Sequence, residues 1–185
     1  MTHDLADAAR QLLTTAFPSE WRETPLGWET VREWEAEHGV VLPEPYRAFV
    51  AEISNGSSYG PPEDGLLPLG WLPDDWPGGE RDFTAPFPLT EAWIWENDDR
   101  DPDELDPLVD EVYNHGALVL GTETSGLVYW LLVLSGPQRG RVWLLADVGA
   151  VPFPAPKGSN QDSANFLQWV KRWHECPDDW ATALL

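Results

Sequence analysis

Leu127-Val128-Tyr129-Trp130-Leu131-Leu132-Val133-Leu134 is the longest apolar run in the chain, and it is held between Gly126 and Ser135. It falls far short of the roughly 20 residues a membrane helix needs, and its branched and aromatic side chains between turn residues mark a strand. No polar position interrupts it, so both of its faces must be covered, one of them by helices. It is therefore expected at the centre of a sheet. Residues 117–121 and 141–146 read as its neighbours, joined through Glu123-Thr124-Ser125-Gly126 and through residues 135–140. Connections this short favour an antiparallel meander.

Helical spacing brackets these strands. Leu5, Ala8, Leu12 and Leu13 predict a first helix over 4–15 with Thr2 or Asp4 as its cap. Trp28, Val31 and Trp34 predict a second that stops at Gly39. Tyr46, Phe49, Val50 and Ile53 predict a third, beginning near Glu44 and closed by Asn55-Gly56. A last helix is expected from Asp162 or Ser163, with Phe166, Leu167, Trp169, Val170 and Trp173 inward. Residues 66–69 and 89–96 read as further strands, the second alternating Trp93 and Trp95 with Ala92 and Ile94. Residues 98–106 read as a charged loop, 105–113 as a short helix and 151–157 as extended chain. The expected fold class is α+β: a single domain over 1–185, with a mainly antiparallel twisted sheet covered by N-terminal helices and a C-terminal helix.

The 185 residues can bury one proper core. A balance of 32 acidic against 11 basic residues gives a net charge of -21, which repels phosphate backbones and anionic membranes, so neither nucleic acid nor a membrane is expected as partner. Met1-Thr2-His3-Asp4 carries neither the basic flank nor the apolar run of an export signal, and a cytoplasmic location is the expectation. The single cysteine, Cys176, leaves no intrachain disulfide or thiolate cluster.

The acids concentrate in residues 71–115, where Arg81 and Arg100 are the only Lys or Arg. Acidic tails are usually poor in aromatics, yet here Trp71, Trp76, Phe83, Phe87, Trp93, Trp95 and Tyr113 are interleaved with the carboxylates. Large rings can anchor a contact while carboxylates steer a basic partner toward it. The candidate contact residues are Asp74, Asp75, Trp93, Trp95, Glu96, Asp98, Asp99, Asp101, Asp103 and Glu104. Any single carboxylate here is first a solvated charge, and most of the 12 tryptophans, above all Trp28, Trp34, Trp130, Trp169 and Trp173, belong to the core.

No catalytic constellation emerges. Read from Asp99, a calcium loop would have Glu104 where its turn needs Gly and Asp110 where it needs Glu. His3, His38, His115 and His174 are isolated, no Gly-x-Ser-x-Gly elbow occurs, and no Lys follows Gly56 to make a phosphate loop. Neither a metal nor a cofactor is expected, and the chain reads as a non-enzyme. A carboxylate-based hydrolase or sugar binder on the segment's tryptophans is a lesser alternative.

Gly39-Val40-Val41-Leu42-Pro43-Glu44-Pro45-Tyr46-Arg47-Ala48-Phe49, then Asn55-Gly56 and Leu67-Pro68-Leu69, resembles the signature of the SUKH superfamily. Gly121, Gly136, Gly140, Val142-Trp143 and Phe166-Leu167-Gln168-Trp169 continue the likeness. The branch it resembles is named for fungal cell-wall synthesis regulators, the SMI/KNR-like domains. The resemblance covers most of the chain outside 71–115, which reads as an acidic, aromatic-rich elaboration. It implies an immunity protein that binds a cognate, basic toxin domain of a polymorphic toxin system, a nuclease for instance. A regulatory scaffold or adaptor for an endogenous protein is the alternative. Oligomeric state is left open.

Overall fold

The computed structural model describes residues 7–123 and 126–177. Four strands, β1 (Ala117–Glu123), β2 (Val128–Val133), β3 (Val142–Ala146) and β4 (Gly149–Pro152), form one antiparallel sheet in chain order. Each is rich in branched or aromatic residues, and β2 lies inside the sheet with every residue from Tyr129 to Val133 buried, as its apolar run demands. β1 slips register against β2 between Val119 and Gly121, a bulge.

One face of the sheet carries Leu118, Leu120, Trp130, Leu132 and Val142. It is covered by α1 (Asp7–Ala16), α2 (Trp28–His38), α3 (Tyr46–Glu52) and a C-terminal helix (Phe166–Glu175). Gly39 ends α2 at φ 68°, a left-handed conformation in which its N–H still reaches Glu35 O. Tyr46 and Phe49 enter the core and meet Phe166 at ring separations of 5.1 and 5.4 Å. Below α3, Glu35 is 7% exposed and accepts from Arg47 Nε at 2.7 Å, Arg47 Nη2 at 2.8 Å and Leu42 N–H at 2.9 Å. A buried carboxylate with this many donors is held as a fixed ionic joint between the helices.

The structure corrects several expectations. The C-terminal helix starts at Phe166, later than expected, because Asn165 and Gln168 form a reciprocal capping box there. Residues 151–157, expected as extended chain, begin inside a fourth strand that starts earlier, at Gly149. Residues 66–69 pair with β1 through one backbone bond, Leu67 N–H to Leu120 O at 2.8 Å, and make no ladder. Residues 89–96 are not a strand either: Trp93 and Ala150 exchange two backbone bonds at 2.9 and 2.8 Å, after which a 3-10 turn, Trp95–Asn97, leaves the edge of β4. The supposed loop 98–106 is already helical from Pro102, in α4 (Pro102–Asn114); the C-terminal helix is therefore α5. The expected caps Thr2 and Asp4, with Leu5, lie outside the described residues.

Candidate partner-binding surface

The opposite face of the sheet carries Ala117, Val119, Tyr129, Leu131, Val133, Trp143 and Leu145, and it is residues 71–115 that cover it. Phe87 and Val112 are fully sunk against this face, while Leu72, Trp76, Leu89, Trp93, Trp95 and Tyr113 pack on it half-buried. Phe87 meets the fully buried Trp143 edge-on at 5.1 Å. Trp76 touches Tyr129 at 4.9 Å and Tyr113 at 5.3 Å, and the ring contacts run on through Trp95 to Trp93. The segment is thus amphipathic without being regular: rings turn toward the sheet and carboxylates toward water.

Three of the candidates, Asp75, Trp95 and Glu96, touch the end of the sheet where the β1–β2 and β3–β4 turns lie. Asp75 packs against Gly126 of the first turn; a Cβ there would stand 2.7 Å from Asp75 Oδ2. At the second turn, Trp95 Nε1 donates to Asp147 O and Glu96 N–H to Val148 O. Asp74, Asp75, Glu96, Asp99, Asp101, Asp103 and Glu104 are exposed, whereas Trp93, Trp95 and Asp98 are half-buried.

Two of these acids are occupied within the molecule. Asp98 accepts from Arg100 Nη2 at 2.6 Å, Arg100 Nε at 2.9 Å and Trp93 Nε1 at 3.0 Å, with the guanidinium 5.3 Å above the Trp93 ring. Arg100 first, and Trp93 second, hold its carboxyl well below the usual carboxylate range. Asp101 is the N-cap of α4, accepting from Asp103 N–H at 2.9 Å ahead of Pro102. Asp74, Asp75, Glu96, Asp99, Asp103 and Glu104 face solvent, and the acids of the first α4 turn oppose its positive dipole end.

Within residues 71–115, the ring that does face water was not among the candidates. Trp71 is 66% exposed, beside an open cleft of about 530 Å³ lined also by Glu23, Asp64, Leu67 and Pro68. Its signal was its setting: a ring inside the Gly- and Pro-rich turn Pro68-Leu69-Gly70-Trp71-Leu72-Pro73 has no periodic partner to bury it. Beneath the acidic layer lies Arg81, sandwiched 5.1 Å from Trp76 and 5.3 Å from Phe83, its Nη2 donating to Ala117 O. Its Nε and Nη1 are buried with no acceptor among the described residues, and burial pushes the guanidinium down to about 10, still protonated at neutral pH.

No group of three or more His, Cys, Asp or Glu among the described residues is placed to hold a metal ion. No helix among them is long and apolar enough to cross a membrane. The model of the SMI1 / KNR4 family (SUKH-1) matches residues 25–172, through the acidic layer as well as the helices and sheet, and the chain belongs to that family. No curated protein and no solved structure matches it.

Proposed function

We propose that this member of the SMI1 / KNR4 family is a non-enzymatic immunity protein, acting in the cytoplasm, that binds a cognate basic toxin domain and blocks its active site or substrate approach. One observation carries the reading: residues 71–115 turn most of their rings onto the sheet and leave Asp74, Asp75, Glu96, Asp99, Asp103 and Glu104 exposed. A layer fixed by buried rings presents its charges with little conformational entropy left to lose on binding. A net charge of -21 adds long-range attraction for a cationic surface such as a nuclease's substrate groove, which can raise association rates by roughly 10- to 1,000-fold at low salt. Trp71, exposed at the margin, is the ring available as an intermolecular anchor.

The chain is to be co-expressed with the product of the neighbouring gene, following both growth and co-purification. Rescue of growth together with a stable complex is the expected result. A stable complex with a partner that is harmless alone would instead assign an adaptor role, and the absence of both complex and rescue would remove the reading for that pair.

A further inference from the structure

The chain's few cations are gathered away from its acids. Residues 71–115 hold 14 acidic and two basic residues, whereas 116–177 hold four acidic and five basic ones. Arg139 and Arg141 sit at the β2–β3 turn, the end of the sheet opposite the turns that Asp75 and Glu96 touch. They line a cleft of about 430 Å³ together with Arg47, Glu44, Gln161 and Asn165.

Both arginines are positioned by neutral acceptors. Arg139 Nη2 donates to Val41 O at 2.8 Å, and Arg141 Nη1 donates to Gln161 Oε1 at 2.5 Å and Ser163 O at 3.2 Å. Each therefore keeps Nε and one further terminal nitrogen for a ligand, with its direction already set. Arg47, on the same wall, is locked by Glu35, and Asn165 is engaged with Gln168 in the cap of α5, so the two turn arginines are the groups left to meet a ligand. Glu44 is the one carboxylate on the wall, and its Oε2 accepts from Ala48 N–H at 3.2 Å, drawn back to the start of α3.

We propose that this cleft binds the phosphate group of a small phosphorylated molecule, with Arg139 and Arg141 as its principal ligands. The unspent donors on the wall belong to Arg139 and Arg141, both carried by the turn. Two separate guanidinium forks suit a phosphate with its several acceptor oxygens; a planar carboxylate would be satisfied by one. The distant acids do not forbid it, since charges beyond about 8 Å are largely screened at physiological salt. The acidic layer takes no part, so this site and the toxin-binding reading stand or fall separately.

Pyrophosphate is to be titrated into the full chain at low ionic strength, following the arginine Nε–H resonances by NMR and the heat of binding. Saturable binding that shifts Arg139 and Arg141 is expected, weakened about tenfold or more in the Arg139→Gln/Arg141→Gln double variant. Arg141→Lys, which keeps the charge but loses the fork, is expected to fall between. Charge reversal of Asp99, Asp103 and Glu104 is expected to leave the binding intact. Three results would overturn the proposal: no saturation, equal binding by wild type and double variant, or shifts confined to Arg172 in the last turn of α5.

Discussion

The sheet is equally apolar on its two faces, but the two are covered by different means. On one side four helices satisfy their own backbone groups and need contribute only an apolar stripe. On the other, most of the cover is irregular chain whose backbone is secured piece by piece: Asp82 N–H to Asn114 O, Phe87 N–H to Ser135 O, Trp93 against Ala150, Glu96 N–H to Val148 O. The irregular side carries most of the negative charge. A layer moored at many backbone points can tolerate crowded carboxylates that would oppose one another along a single helix face.

The sharpest challenge to that equivalence is to empty the core on each side. Trp143→Ala beneath the acidic layer and Trp130→Ala beneath the helices should each cost about 3–5 kcal/mol in urea denaturation, because both side chains are fully buried. A loss below about 1 kcal/mol for Trp143 alone would make the acidic layer a loosely docked flap. Arg81→Ala should cost about 1–3 kcal/mol through lost ring contacts and packing, whereas Arg81→Met, which keeps the stem and removes a buried uncompensated charge, should match or exceed wild type in melting temperature.

Surface changes then separate the layer's scaffold from its charge. Reversing Asp99, Asp103 and Glu104 to Lys should slow association with a basic partner about tenfold or more in low-salt stopped-flow measurements, while the melting temperature falls only by the small amount that two unfavourable charges at the start of α4 cost. Asp101→Ala should instead cost about 1 kcal/mol of stability, since that carboxylate caps α4. Smallest is a pH effect. Burial, reinforced by Glu63 and Asp64, raises Glu123 above its ordinary value. Its ionisation therefore opposes folding: the penalty is absent below the unfolded-state value, builds as pH rises toward the folded-state value and is complete above it. Glu123→Gln should be more stable than wild type near neutral pH, and the gap should close as pH is lowered.

Much of this was legible in the chain. The apolar run of β2 announced a strand buried on both faces, and helical spacing with Gly39 as a stop gave the end of α2 to the residue. Periodicity also detected that Trp93 and Trp95 share a side: both pack on the same sheet face while Ala92 and Ile94 are exposed. It could not say what lies across from them. Rings beside acids read as anchors for another protein; the structure shows most of them anchoring the segment to its own sheet. β4 was hidden by Pro152, which cannot donate to a ladder, and a paired strand was overread at 89–96 because alternation reports which side a residue faces, not whether its backbone has a neighbour. Nor could the sequence tell which carboxylates were already engaged: Asp98 is taken by Arg100 and Trp93, and Asp101 by its own helix.

The two bonds between Trp93 and Ala150 have a meaning for life in a crowded solution. An open margin on so oily a sheet would be a template on which another molecule's strand could grow toward fibrils. Here one margin is stitched by Trp93 and followed by Pro152, Pro154 and Pro156, and the other is touched by Leu67. Trp93→Pro, which removes a stitch without altering charge, should show up as thioflavin-positive aggregation during long incubation, while wild type stays clear.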